Sequence, residues 1–191
     1  MKLYLIRHGQ TVTNEAGCWT GWMDAPLTAK GREDAIGVRD FLSTIPFDKV
    51  YSSDLSRARD TAMLALPGCT PEETPLLREI HVGSYEGQHF TILTPEAHAY
   101  GSAFGYGHLG GESYREFTER VRSFLTMIEG RSDECVAAFT HGGLLHCMLE
   151  IMVGMRLPRH KFSCSNCTVA GFERRPEGWR VTTWLAPESI I

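Results

Sequence analysis

Three short apolar runs, each stopping abruptly at polar residues, constrain this chain more than any other feature. Leu3-Tyr4-Leu5-Ile6 stops at Arg7-His8-Gly9, Val50-Tyr51 at Ser52-Ser53, and Cys135-Val136-Ala137-Ala138-Phe139 at Thr140-His141-Gly142-Gly143. Runs this short read as buried strands. Helix-like segments separate them, and that alternation predicts an α/β sheet. If the three strands are neighbours in one parallel-rich sheet, their ends meet at a single edge, where open α/β sheets place their ligands.

The intervening segments carry their own punctuation. Thr28 caps a helix expected over 28–44, with Ala35, Val38, Phe41 and Leu42 at helical spacing. Leu55, Ala58, Ala62 and Leu66 stripe a helix entered at Asp54, with Ser53 or Asp54 as its cap. Ser113 and Glu116 form a capping box ahead of Phe117, Val121, Phe124, Leu125 and Ile128, and another apolar helix runs from Leu144 to Val153 before Gly154. Residues 168–173 and 179–184 alternate like paired strands around Pro176-Glu177-Gly178, with structural support as their expected role. The stretch 88–111 looks least regular. It mixes five glycines with Phe90, Tyr100, Phe104 and Tyr106, and its histidines 89, 98 and 108 do not repeat as a metal motif. A lid-like insertion in a single domain spanning 1–191 is expected; a floppy insertion is the plain alternative.

With 191 residues the chain suits one domain, and a net charge of −4 offers no broad basic surface to nucleic acid or acidic membranes. Any anion must be drawn by a local cluster of positive groups. The N-terminal apolar run is too short for a secretory signal and nothing approaches a membrane span, so a cytoplasmic protein with six reduced cysteines is expected. Cys164-x-x-Cys167 supplies two of the four ligands of a structural zinc site, which favours buried thiols over metal or redox chemistry. No carboxylate cluster suggests a metal, and no cofactor is expected; the chain is read as a monomer or homodimer.

Arg7 beside His8 suits a phosphoryl group: a guanidinium grips oxygens in a fork, and an imidazole can attack phosphorus. Arg57 falls near a helix N-terminus, where exposed N–H groups favour an anion. Arg7-His8-Gly9-Gln10-Thr11 with Asn14, Ser52-Ser53-Asp54-Leu55-Ser56-Arg57-Ala58, Leu77-Arg78-Glu79 followed by Gly83 and Glu86-Gly87, and Thr140-His141-Gly142 stand in order along the chain. Together they resemble the motifs of the histidine phosphatase superfamily, which also contains the phosphoglycerate mutases. The opening Leu5-Ile6-Arg7-His8-Gly9-Gln10-Thr11 looks most like the α-ribazole and broad-specificity phosphatase branch.

The resemblance implies a three-layer sandwich with a mostly parallel mixed sheet and helices on both faces. It implies a phosphohistidine on His8, proton transfer by Glu79, and a second catalytic histidine at His141, expected as a cationic donor. Phosphate would be held by Arg7, Arg57, Asn14 and Gly142, Thr20 and Gly21 would contact substrate, and Glu86 would either contact substrate or only shape the loop. The implied partner is a small phosphorylated metabolite. Mutases carry a longer, basic insertion where this chain has no lysine or arginine between Gly87 and Gly111, so hydrolysis leads and phosphoryl transfer comes second. A binding module without turnover is a third reading, which the presence of His8, Glu79 and His141 disfavours.

Overall fold

The computed structural model describes residues 1–92, 94–157 and 164–186. Strands β1 (Lys2–Arg7), β2 (Lys49–Ser53), β3 (Glu72–Thr74), β4 (Cys135–Thr140), β5 (Val169–Arg175) and β6 (Gly178–Leu185) form one sheet, ordered β3-β2-β4-β1-β5-β6. The first four in that order run parallel; β5 and β6 are an antiparallel hairpin added beside β1.

The helices are α1 (Val12–Glu15), α2 (Ala29–Gly37), α3 (Arg39–Ser43), α4 (Ser56–Ala65), α5 (Pro95–Phe104), α6 (Tyr114–Glu129) and α7 (Gly142–Val153). Leu3 and Leu5 of β1 pack on one face with Phe117, Val121 and Phe124 of α6 and Leu144, Leu145 and Met148 of α7. Ile6, with Ala137 and Phe139 of β4, packs on the other face with Ala35, Val38, Leu42 and Ala62. Covered on both faces, β4 is buried at all six positions, which is why its sequence reads as a continuous apolar run. The architecture is the expected three-layer α/β sandwich.

Local differences have local causes. The helix expected over 28–44 breaks after Gly37, a weak helix former, and the Val38 N–H turns to both Asp34 O and Ile36 O. The stretch 88–111 contains α5, started by Thr94 Oγ1 accepting from the Ala97 N–H at 3.3 Å with Pro95 in the first turn. The side chains of His98 and Tyr100 lie outside the described residues. The Ser113–Glu116 capping box and the β5–β6 hairpin form where the sequence places them. Among the described residues no helix is long and apolar enough to cross a membrane.

Candidate active site

Strand register builds the centre of the site. Arg7 pairs with Thr140 in the parallel β1–β4 ladder, so His8 and His141 leave the sheet side by side. Their ring centres lie 5.1 Å apart, and both are buried. The next parallel strand, β2, pairs Ser52 with Phe139 and delivers α4, whose first turn brings Arg57 against His141.

His8 Nδ1 lies 2.7 Å from the Gly9 carbonyl. A carbonyl oxygen only accepts, so Nδ1 carries the proton and Nε2 keeps its lone pair. Burial, then the nearby Arg57 and Arg7 charges, hold this imidazole well below its ordinary pKa, against a smaller opposing pull from the Gly9 carbonyl. The ring is therefore neutral at pH 7. Gly9 itself is required by close approach: a Cβ there would lie 2.2 Å from the Gly31 carbonyl oxygen in α2.

Arg57 is 1% exposed, and each of its three nitrogens makes one hydrogen bond, which leaves one further N–H on each terminal nitrogen. Nε donates to His141 Nδ1 at 3.2 Å, Nη1 to Met23 O at 2.9 Å and Nη2 to Gly21 O at 2.7 Å. Burial lowers its pKa to about 10, with Glu79 and Asp24 opposing, so it remains a cation at neutral pH. The cap of α4 is neither Ser53 nor Asp54. Asp24, thirty-two residues upstream, accepts from the Ser56 N–H and hydroxyl at 3.1 and 2.7 Å, while Asp54 forks with Arg78 at 2.7 and 2.6 Å. The loop 21–24 thus grips both Arg57 and the helix that carries it.

That geometry corrects the expectation of a cationic His141. Its Nδ1 accepts from Arg57, so the proton sits on Nε2, and the ring is a neutral donor. Burial and then the Arg57 charge depress its pKa well below the usual histidine range. Among the described residues, His141 Nε2 and Arg7 Nε are buried without a hydrogen-bond partner. Two buried donors of this kind suit an anion. Arg7 Nη1 is held by the Cys164 carbonyl. Gly142 opens α7, whose first-turn N–H groups lie outside the helix's own ladder, that of Gly143 being taken by Glu79.

Glu79 lies opposite, in the irregular stretch after β3. Oε2 accepts from the Gly143 N–H and Oε1 from the Ile80 N–H, each at 2.9 Å. Its backbone carbonyl accepts from Trp22 Nε1 at 2.7 Å and Arg120 Nη2 at 3.0 Å.

These groups surround a cavity of about 270 Å³. Arg7, His8, Arg57, Asn14, Gly142 and Glu79 line its polar end; Trp19, Ile80, Val82, Phe90, Tyr106 and Trp184 line the rest. Asn14 Oδ1 is occupied by the Thr11 N–H at 3.3 Å and Asn166 Nδ2 at 3.2 Å, which leaves its own amide as the donor. Thr20 and Gly21 line the cavity. His141 sits behind this wall rather than in it. Glu86 does not line it either: Oε1 accepts from the Trp22 N–H at 2.6 Å and lies 3.4 Å from His81 Nε2, so it shapes the loop from behind.

A family model for the histidine phosphatase superfamily, branch 1, matches residues 3–187. The chain belongs to the histidine phosphatase superfamily, branch 1. An adenosylcobalamin/alpha-ribazole phosphatase of Salmonella typhimurium is 35% identical over 163 residues, 81% of each chain. A phosphoglycerate mutase structure from Thermus thermophilus superposes with a TM-score of 0.78 at 35% identity, covering 97% of this chain and 99% of that one. A mycobacterial glucosyl-3-phosphoglycerate phosphatase solved with VO3 gives 0.86 at 26% identity, covering 97% and 98%. The chain is an enzyme of the phosphatase class, and its substrate is a small phosphorylated molecule.

Around this histidine phosphatase centre, sequence reasoning missed three residues. Asn166 Nδ2 donates to the His8 carbonyl at 3.0 Å as well as to Asn14. His146 of α7 and Trp184 of β6, an edge strand expected only to support, both line the cavity. The Cys164-x-x-Cys167 segment is a tight turn against β1, with the Cys167 N–H on the His8 carbonyl at 3.3 Å and Cys167 at φ 58°. The Cys167 thiol is wholly buried and pushed up to about 12 by that burial, so it stays protonated. Among the described residues no group of three or more His, Cys, Asp and Glu is placed to hold a metal.

Proposed function

We propose that this enzyme hydrolyses small phosphomonoesters through a phosphohistidine on His8. The observation that carries the reading is the 2.7 Å contact from His8 Nδ1 to the Gly9 carbonyl, which leaves the Nε2 lone pair free beside two guanidiniums. In the first step a bond forms between Nε2 and phosphorus as the ester P–O bond breaks, and Glu79 gives its proton to the departing oxygen. In the second, water attacks phosphorus, the N–P bond breaks, and the proton returns to Glu79. Arg7, Arg57, Asn14 and the N-terminus of α7 at Gly142 stabilise the charge spread over the phosphoryl oxygens, with His141 orienting Arg57 from behind them. These groups supply the positive charge from the chain's own residues, so turnover is expected to survive a chelator.

Among the described residues, the guanidiniums lining the cavity, Arg7 and Arg57, both stand at the phosphoryl end. A leaving group would meet Trp19, Phe90, Tyr106 and Trp184, which suits an uncharged, largely apolar alcohol. An α-ribazole 5'-phosphate, the substrate class in the Salmonella relative's name, meets that description; a phosphoglycerate, with its carboxylate beside Glu79, does not. Thr20 and Gly21 would form one wall of the substrate's path, and the segment 88–111 would cover the other through Phe90 and Tyr106. Six free thiols suit a reducing, cytoplasmic setting.

A screen over phosphorylated metabolites with chelator present tests the reading. Free phosphate from phosphomonoesters of uncharged alcohols, lost in His8→Ala, is the expected result. An isomerised phosphoglycerate in place of free phosphate would favour transfer, and equal turnover in His8→Ala would refute the mechanism.

A further inference from the structure

We infer that Arg120, on α6 and outside the cavity, is the positioning residue for the proton-donating carboxylate. The inference rests on the assignment of Glu79 as that donor. Glu79 lies on a stretch with no helix or strand of its own, so no regular ladder fixes its backbone. What fixes it comes from elsewhere. The Arg120 side chain is 14% exposed, and both of its terminal nitrogens reach one short segment. Nη1 reaches the carbonyls of Leu76 and Arg78 at 3.1 and 2.8 Å, and Nη2 reaches that of Glu79 at 3.0 Å.

The guanidinium is itself held. Nε and Nη2 fork onto the Glu112 carboxylate at 2.8 and 2.7 Å. Glu112 in turn brackets the residues just past Glu79: its Oε2 accepts from the His81 N–H, and its own N–H donates to the His81 carbonyl, both at 2.9 Å. A planar, always-charged fork suits this bridging, and a lysine cannot replace it. With the Arg120–Glu112 pair removed, the carbonyl of Glu79 keeps only Trp22 and the carboxylate keeps only the Gly143 and Ile80 N–H groups, so the backbone that carries it can shift relative to the leaving oxygen. Misplacement of about 1 Å in such a group costs on the order of 10²-fold.

The test compares two aryl esters by kcat/KM, which reports the step that forms the phosphohistidine and not its hydrolysis. Phenyl phosphate needs a proton on its leaving oxygen; 2,4-dinitrophenyl phosphate does not. Arg120→Ala is expected to lose about 10²-fold on phenyl phosphate and less than about threefold on the dinitrophenyl ester. Glu79→Gln is expected to show the same selectivity, and the double variant to fall no lower than Glu79→Gln alone, because both changes remove one function. Thermal unfolding checks the fold. If Arg120→Ala does not unfold cooperatively, Arg120→Lys gives the same comparison with the stem and charge retained.

Equal losses on both esters, or losses that multiply in the double variant, would overturn the role of Arg120. Absence of hydrolysis of either ester by the parent enzyme would instead overturn the phosphatase mechanism, so the two failures are distinguishable.

Discussion

Replacing Gly143 by alanine isolates the carboxylate's contribution with the smallest possible change. A Cβ at this position would stand 2.1 Å from Glu79 Oε1 and 3.0 Å from its Cδ. An ordinary contact begins near 3.4 Å, so the carboxylate must retreat by about 1.3 Å. The group that gives way is the end of a flexible side chain, while the α7 backbone stays put. Alanine is the better helix former, by up to about 1 kcal/mol, so stability is expected to hold or rise slightly. Activity is not. A shift of that size in a proton donor predicts a loss of about 10²–10³-fold in kcat/KM for phenyl phosphate, or roughly 3–4 kcal/mol of transition-state stabilisation. Steady-state kinetics, thermal unfolding and inhibition by inorganic phosphate together decide the matter. Phosphate inhibition is expected within about threefold of the parent, because the phosphoryl cradle is untouched. Parental activity at an unchanged melting temperature would refute the reasoning, and so would a loss of phosphate binding as large as the loss of rate.

Three further outcomes follow from the same geometry. Arg57→Lys cannot reach Met23 O, Gly21 O and His141 Nδ1 together, so kcat/KM should fall about 10²–10³-fold, read by steady-state kinetics. His8 and His141 are both held below the ordinary histidine pKa, so the unfolded chain binds more protons than the native one as pH falls below about 6.5. Their contribution is therefore complete above that pH and lost on acidification, at up to about 1.4 kcal/mol per pH unit for each ring. Urea titrations at several pH values should show that slope, reduced in His141→Gln; a slope unchanged by this substitution would contradict the burial of a neutral ring. Cys164→Ser and Cys167→Ser should both retain turnover in the presence of chelator, since the turn contributes the Cys164 carbonyl and the Cys167 N–H rather than thiols.

What could be read from the sequence was local or periodic. The ends of β1, β2 and β4 were legible because a run buried on both faces must stop where polar chemistry begins, and parallel register then aligns His8 with His141 automatically. The Ser113–Glu116 box marked α6 because capping depends on residues three apart. The remainder depended on contacts far along the chain. The cap of α4 comes from Asp24, the tautomer of His141 is set by Arg57, and Asn166 reaches the His8 carbonyl across 158 residues. Helix α5 was obscured by the glycines around it, although Thr94-Pro95 is a recognisable start signal. Trp184 gave no sign of its place in the cavity, because alternation in a strand tells which side a residue takes and not what lies there.

Rapid acid-free quenching of the enzyme during turnover, followed by peptide mapping of the bound phosphorus, tests the central claim most directly. An acid-labile, base-stable phosphoryl group on His8 Nε2, appearing within the first turnover and absent from His8→Ala, is the predicted result. A burst of product with phosphorus on another residue, or turnover with no phosphorylated enzyme and inversion at a chiral phosphorus, would contradict it.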